Sequence, residues 1–336
     1  MNFPRILKKR KGYIDRIKPF MQKSVAKVLT GQRRVGKSFL LYQLIEEILA
    51  EEPDANIIYV NLEDFTFSSL QTAEDLHSYI ISHSKEKVKN YIFIDEIQDI
   101  PGFEKVIRSL LLNEDNDIYI TGSNAKMLSG ELATYLSGRY IEFKIYSLSY
   151  SEFLEFHGLT ESETSYELYS RYGGLPYLLN LPLEDETVNE YLKSVYSTIV
   201  FRDVVSRYKL RNTLFLEKLI QFLSENIGNL FSAKNISDYL KSQHTAISVN
   251  QIQSYTEYLN NAFLIHRVER YDLIGKRVFE IGEKYYFENM GIRNIVIGYR
   301  ITDKAKILEN LAHSDSSHRR LSHCYISDSQ HLLLHC

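Results

Sequence analysis

The spacing of glycine, lysine and serine at residues 31 to 38 limits the folds open to this chain more than any other feature. The stretch GQRRVGKS fits the pattern G-x-x-x-x-G-K-S, with an apolar run before it and a stretch of helical periodicity after it. In such a strand, loop and helix, backbone N–H groups converge on phosphate oxygens and the helix dipole points its positive end at them. The pattern predicts a phosphate-binding loop.

Strand-like and helix-like segments alternate from this loop to about residue 148. Alternation of this kind is typical of a mostly parallel sheet with helices on both faces. We therefore expect an α/β domain over residues 1 to 148. Its further candidate strands are NIIYVNLED, NYIFIDEIQ, NDIYITGSN and RYIEFKIYSL.

An acidic pair follows one of these candidate strands. Asp95 and Glu96 end the run YIFIDE, and their distance from Lys37 along the chain suits a strand adjacent to the one before the loop. Asp95 would hold a metal through its waters, and Glu96 would orient or deprotonate the attacking water. A small-molecule kinase needs no glutamate beside its metal aspartate, so Glu96 favours hydrolysis. The alternative is an acidic pair that caps a strand.

Inside the loop, Lys37 would neutralise the β and γ phosphates of a nucleotide and the Ser38 hydroxyl would ligate Mg²⁺. After the next strand, Ser123 or Asn124 would sense the γ phosphate, or alternatively cap a helix over AKMLSGELATYL. Arg139 opens the following strand, either as an arginine finger for a neighbouring subunit or as a surface arginine.

The second half of the chain is mainly helical. Residues 149 to 210 are rich in tyrosine and contain the turn signal GGLP, which indicates a helical lid or connector. Residues 211 to 285 show three helix-like and two strand-like segments, as in a winged helix-turn-helix. Its recognition helix, residues 248 to 260, has no lysine or arginine. Because phosphate contacts dominate nucleic-acid affinity, protein docking is the alternative to DNA binding.

Composition limits the compartment and the metal chemistry. The formal net charge is −3 and no apolar stretch reaches transmembrane length, so we expect a cytoplasmic protein without a membrane partner. Cys324 and Cys336 both lie in the last stretch, so we expect neither a disulfide framework nor a cysteine metal site in the folded body. Residues 312 to 336 hold five of the ten histidines without a standard ligand spacing, which favours a disordered tail over a metal site.

Taken together, several segments resemble bacterial and archaeal proteins predicted to be AAA+ ATPases, with an AAA_14 domain followed by a DUF4143 domain. The resemblance spans residues 13 to about 311, and it implies an AAA+ P-loop core that binds ATP and Mg²⁺. The segments include TGQRRVGKSFLL, IFIDEIQDIPGFEKVIRSLL, RYGGLPYLL and YLNNAFLIHRVERYDLIGK.

The resemblance also implies residue roles. Asp95 and Glu96 become Walker B, Ser123 and Asn124 a sensor 1, and Arg139 an arginine finger. The arginine pair in the loop becomes a feature of this clade, which we expect to relay the nucleotide state to a neighbouring domain or subunit. The residues expected to form Walker A and to contact the nucleotide are Gly31, Gln32, Arg33, Arg34, Val35, Gly36, Lys37 and Ser38.

The chain departs from these relatives near its end, where they continue into a domain resembling the restriction-endonuclease fold. Residues 286 to 311, with Glu309 in the matching helix, look like a remnant of that domain, and no later acidic and Glu-x-Lys set follows. We expect no nuclease activity. Residues 312 to 336 are interpreted as an aberrant tail from a frameshift or truncation, which the coding DNA would test.

The sequence therefore favours an ATPase that couples its nucleotide state to movement of the lid and the winged-helix domain. Its partner would be DNA or a protein, and it would form a homo-oligomer. The alternative from a different class is a nucleotide-controlled docking switch or scaffold with slow hydrolysis.

Overall fold

A computed structural model describes residues 8–125, 136, 138–269, 282–318, 323–325 and 333–335. The chain divides into two compact units, Met1–Ile145 and Tyr146–Cys336. The segment AKMLSGELATYL, for which a helix is one prediction, falls mostly outside the described residues, as does the start of the second predicted wing strand. Among the described helices, none combines the length and the apolar character needed to cross a membrane.

The first unit contains a five-stranded sheet in which every neighbouring pair is parallel, in the order β2-β3-β4-β1-β5. This confirms the predicted α/β core. The predicted position of β3 next to β1 is wrong, because β4 lies between them. The strands are β1 Ala26–Thr30, β2 Asn56–Asn61, β3 Asn90–Asp95, β4 Asn116–Gly122 and β5 Tyr140–Lys144.

The three central strands are buried at every residue, whereas the edge strands β2 and β5 are partly exposed. A parallel strand covered on both faces must be apolar on both faces, which explains runs such as YIFI and IYI. Helices pack around this sheet, and α3 begins with a capping box between Thr72 and Asp75. The helices are α1 Lys11–Ile17, α2 Lys37–Glu51, α3 Ala73–His83 and α4 Phe103–Leu110.

The second unit is mainly helical and includes a three-stranded antiparallel sheet in the order β6-β8-β7. A π-helical segment, Ile199–Ser206, directly follows the helix Asp185–Thr198. The strands are β6 Leu230–Phe231, β7 Ile265–Val268 and β8 Glu283–Phe287. The helices are α5 Tyr150–His157, α6 Glu163–Tyr172, α7 Asp185–Thr198, α8 Thr213–Glu225, α9 Ala233–Ser242, α10 Val249–Asn261, α11 Met290–Ile297 and α12 Lys304–His318.

Within the expected tail, the structure describes residues 312–318, 323–325 and 333–335, and these have regular secondary structure. Helix α12 continues to His318, and His323–Tyr325 pairs with Leu333–His335 as antiparallel strands β9 and β10. The buried side of α12 includes Asn310, His313 and Ser314. Because these buried residues are polar, a search for apolar helical periodicity misses this part of the helix.

A buried ion pair joins β1 to β4. The side chains of Lys27 and Asp117 are in contact and both are 0% exposed. Lys27 also donates to the Val25 carbonyl at 2.9 Å, while Asp117 accepts from the Tyr119 hydroxyl at 2.7 Å and from the Gln22 backbone N–H at 2.8 Å. Burial lowers the pKa of Lys27, and the charge of Asp117 opposes that shift. Each charge is tolerated in the interior because the other is present.

Removing one of these charges should destabilise the fold strongly. We expect Lys27→Met to lower the free energy of unfolding by about 3–5 kcal/mol, because it leaves Asp117 buried without its cation. Urea unfolding at neutral pH measures this. The matched control is Lys241→Met, since Lys241 pairs with Asp238 at 3.8 Å on the surface. That change should stay within about 0.5 kcal/mol, and equal losses for the two variants would contradict the prediction.

Candidate functional site

The glycine loop, residues 31–36, connects the end of β1 to the start of α2. Gly31 has φ +154°, and a Cβ there would lie 2.1 Å from the carbonyl oxygen of Ile145. Gly36 has φ +96°, in the left-handed region that favours glycine. Both defining glycines are therefore required by the backbone itself, one by close approach and the other by conformation.

Helix α2 begins without a side-chain cap. Gly36 occupies the N-cap position, and the first turn contains no acidic residue. The N–H groups of that turn and the positive end of the helix dipole therefore face the glycine loop without a carboxylate from the same turn to neutralise them. This arrangement suits an anion that carries several oxygens.

Lys37 lies inside the curl of the glycine loop and is 4% exposed. Its ammonium group donates to the carbonyls of Gly31 and Gln32, at 3.0 Å in both cases. The same nitrogen lies 3.8 Å from a carboxylate oxygen of Glu96. The structure thus brings together the predicted phosphate lysine and the predicted catalytic glutamate.

Asp95 is the last residue of β3 and is buried. Its Oδ1 accepts a hydrogen bond from the Thr121 hydroxyl, and its Oδ2 lies 3.4 Å from the Tyr59 hydroxyl, which donates to it. Burial raises the pKa of Asp95, and a hydrogen bond from Ser38 acts in the opposite direction. Ser38 and Asp95, the two predicted Mg²⁺ ligands, are therefore in contact. A hydroxyl and a carboxylate are the hard oxygen donors that Mg²⁺ prefers.

Glu96 adopts a left-handed backbone conformation, with φ +57° and ψ +47°, which is uncommon for a residue other than glycine. Its backbone N–H donates to the Thr121 hydroxyl at 2.9 Å, and its carboxylate accepts from the Gln98 amide at 2.5 Å. Burial alone would raise the pKa of Glu96, but the positive charges of Lys37 and Arg33 outweigh burial and lower it. The carboxylate is held ionised in a fixed position.

Arg33 and Arg34 differ in environment although they are adjacent. Arg33 is 7% exposed and its guanidinium lies 2.9 Å from a carboxylate oxygen of Glu63, in the segment that follows β2. Arg34 is exposed and has φ +71°. The two adjacent side chains therefore have different surroundings.

Ser123 and Asn124 are buried directly after β4, the strand that pairs with β3. They therefore lie at the same edge of the sheet as Asp95. Arg139 is exposed, and its carbonyl accepts from the N–H of Ala26, the first residue of β1. The glycine loop follows the other end of β1, so Arg139 lies about 16 Å away along a five-residue strand. The structure does not bring Arg139 into the site of its own chain.

Four of the described residues contact the site but were not predicted from the sequence, namely Thr121, Tyr59, Glu63 and Gln98. Thr121 and Tyr59 lie within strands, where a β-branched or aromatic residue is ordinary. The available signal was positional, because Thr121 follows Ile120, whose partner Ile94 precedes Asp95. Nowhere in the described residues, the candidate site included, is a group of three or more histidine, cysteine, aspartate or glutamate side chains placed to hold a metal.

Two family models match the chain. One, described as an AAA domain (AAA_14), matches residues 23–154, and the other, described as a domain of unknown function (DUF8612), matches residues 163–303. The first supports the resemblance to AAA+ ATPases. The second match is to DUF8612 and not to the DUF4143 domain that the resemblance suggested. That suggestion rested on short, separate segments of the second half of the chain.

Two relatives cover most of the chain. An uncharacterized protein of Haemophilus influenzae is 37% identical over 314 residues, which are 90% of this chain and 76% of the relative. An uncharacterized protein of Methanocaldococcus jannaschii is 31% identical over 298 residues, which are 85% of this chain and 65% of the relative. This chain thus spans about two thirds to three quarters of their lengths.

Two solved structures align with most of the chain at low similarity. The Aeropyrum pernix Orc1 protein in complex with DNA has a TM-score of 0.39 and 14% identity, over 95% of this chain and 96% of that one. The replication initiator DnaA bound to AMPPCP and single-stranded DNA has a TM-score of 0.38 and 15% identity, over 76% and 90%. At these scores the likeness does not bear on function.

Proposed function

The chain belongs to the same family as the Haemophilus influenzae relative, and its residues 23–154 match the AAA domain AAA_14; from this premise we propose that it is a Mg²⁺-dependent ATPase. The observation that carries the proposal is the grouping of Lys37, Asp95 and Glu96 at the end of the glycine loop. This grouping combines a lysine that can bind phosphate, a carboxylate that can bind a metal ion and a second carboxylate beside them that can act as a base.

The loop would bind the phosphates of ATP through its backbone N–H groups, including those of Gln32 and Val35, and through Lys37. Ser38 and Asp95 would hold Mg²⁺, which neutralises phosphate oxygens when it is bound. Glu96 would accept a proton from water or orient that water, because it is kept ionised by Lys37 and Arg33.

The roles of the remaining candidates follow from their positions. Ser123 and Asn124 would sense the γ phosphate, since they directly follow β4, the strand that pairs with the strand of Asp95. Arg139 would act only on the nucleotide of a neighbouring subunit, because its own glycine loop lies at the other end of β1. The arginine-finger role therefore requires a homo-oligomer.

Replacing Glu96 separates hydrolysis from binding. We expect Glu96→Gln to lower kcat by ~100-fold or more while ATP still binds, because the amide cannot take a proton. Phosphate release and equilibrium nucleotide binding measure the two quantities. Glu86→Gln is the matched control, since Glu86 is exposed in the loop before β3. If the wild type hydrolyses ATP no faster than Glu96→Gln, the switch or scaffold function with slow hydrolysis takes the place of the ATPase.

Arg33 is proposed to carry the nucleotide state to the segment that follows β2. Its guanidinium contacts Glu63 in that segment, and its charge also acts on Glu96. A change in the charge around Glu96 would therefore alter how strongly Arg33 is attracted to Glu96 relative to Glu63. Arg34 has no such position, because it is exposed.

The two arginines should respond differently to the same substitution. In the wild type, we expect a non-hydrolysable ATP analogue to change the hydrogen exchange of residues 62–71. Arg33→Gln should abolish this change, because Glu63 loses its contact with the Arg33 guanidinium, whereas Arg34→Gln should retain it. Hydrogen exchange read by mass spectrometry tests this. Equal behaviour of the two variants would remove the relay role from Arg33.

The partner of the second unit is proposed to be a protein, with DNA as the alternative. Helices α8 to α10 with the sheet β6-β8-β7 fit a winged helix, but the proposed recognition helix α10 carries no lysine or arginine. Near it, Arg267 lies 3.9 Å from Glu257, 2.6 Å from Glu269 and 3.6 Å from Glu283. These carboxylates would repel phosphate, so the α10 face disfavours DNA.

DNA should therefore change neither ATP turnover nor the mass of the protein in solution. The measurements are phosphate release and light scattering, each with and without a short duplex at low salt, where phosphate contacts are strongest. In sequence, Lys241, Arg267 and Arg270 are the lysine and arginine residues nearest to α10. A DNA effect that disappears when these three are changed to glutamine would establish the DNA alternative.

A further inference from the structure

One hydroxyl group contacts both residues of the acidic pair. Thr121 is fully buried in β4, and its Oγ1 donates to Asp95 Oδ1. The same Oγ1 accepts the backbone N–H of Glu96 at 2.9 Å. The predicted metal ligand and the predicted base are consecutive residues, and this single atom fixes the side chain of one and the backbone of the other.

The contact occurs where regular strand pairing ends. The parallel ladder between β3 and β4 runs up to the pair Ile94 and Ile120. Beyond it, Glu96 turns into the left-handed region, so its N–H leaves the direction of the ladder. The Thr121 side chain takes over as the acceptor for that N–H. A strained conformation persists only when its surroundings hold it, and this bond is one of the contacts that do so.

Only a hydroxyl can make both contacts from this position. It supplies one donor for the carboxylate and lone pairs for the N–H, whereas a methyl group of the same size supplies neither. Tyr59 holds the other oxygen of Asp95 at 3.4 Å and in turn contacts the Tyr42 hydroxyl of α2 at 3.1 Å. Tyr59 does not reach Glu96 through any described hydrogen bond, so Thr121 is the residue that couples the pair.

We propose that Thr121 is a positioning residue for the hydrolytic site, where its hydroxyl sets the orientation of the Asp95 carboxylate and the backbone of Glu96. The inference rests on the ATPase function proposed above. A purely structural role makes a different prediction, because the branched Thr121 side chain would then be replaceable by valine, which has the same shape and suits a strand equally well.

Two substitutions at this position separate the hydroxyl from the shape. Thr121→Val keeps the shape and removes the hydroxyl, while Thr121→Ser keeps the hydroxyl. We expect kcat of Thr121→Val to fall ~100-fold, as misplaced catalytic groups do, and Thr121→Ser to restore most of that loss. Thr256→Val is the matched control, because its buried hydroxyl donates only to the Ile252 carbonyl at 2.8 Å within α10. It should leave kcat unchanged.

Nucleotide binding supplies a second readout that does not depend on turnover. ATP affinity is measured with Mg²⁺ and with excess EDTA. Thr121→Val should bind ATP as the wild type does in EDTA but should lose the gain in affinity that Mg²⁺ brings. KM measured with Mg²⁺ should rise accordingly, and Thr121→Ser should again resemble the wild type.

The outcomes that overturn the proposal are distinct from those that overturn the ATPase function. Wild-type kcat and Mg²⁺-dependent affinity in Thr121→Val would overturn it, as would losses in Thr121→Ser equal to those in Thr121→Val. If circular dichroism shows that Thr121→Val does not fold, Thr121→Ala replaces it in the comparison with Thr121→Ser. If wild type and Glu96→Gln are equally slow, the ATPase function fails, and the Mg²⁺-dependent affinity alone decides the role of Thr121.

Discussion

The approach of Gly31 to the Ile145 carbonyl determines the position of the whole candidate site. Any side chain at Gly31 would overlap that oxygen, and the neighbouring bond from the Ile145 N–H to the Thr30 carbonyl, 2.7 Å long, holds the two segments together. From this point the chain must curl to enter α2, which brings Lys37 inside the curl. The lysine and the helix N-terminus both follow from that one contact, and the register of the sheet places the acidic pair beside them.

The glycine loop and the parallel core could be predicted from sequence because their physical requirements are local. Gly31 and Gly36 are needed for backbone reasons, and apolar runs mark strands buried on both faces. The order of the strands could not be predicted in the same way. The position of β4 between β3 and β1 depends on which side of β3 the connection from β3 to β4 places the strand. The spacing of the segments along the chain does not determine this.

Several side-chain contacts in the site could also not be predicted from the sequence. Thr121 looks like an ordinary strand residue until the register of β3 and β4 is known. The adjacent Arg33 and Arg34 look equivalent, and only the positive φ of Arg34 separates them. The buried side of α12 includes the polar residues Asn310 and His313, so this part of the helix lacks the helical spacing of apolar residues by which helices are predicted. Outside the glycine loop and the acidic pair, the prediction missed polar residues whose partners are distant along the chain.

The buried pair between Lys27 and Asp117 bears on the alignment of the strands as well as on stability. If β1 slipped by one residue along β4, the Lys27 side chain would turn to the opposite face of the sheet, and Asp117 would remain buried without its cation. Such a slip would also shift the glycine loop relative to Thr121. The pair therefore selects one register of β1 against β4. That register fixes the position of the glycine loop, along the strand direction, relative to Asp95 and Glu96.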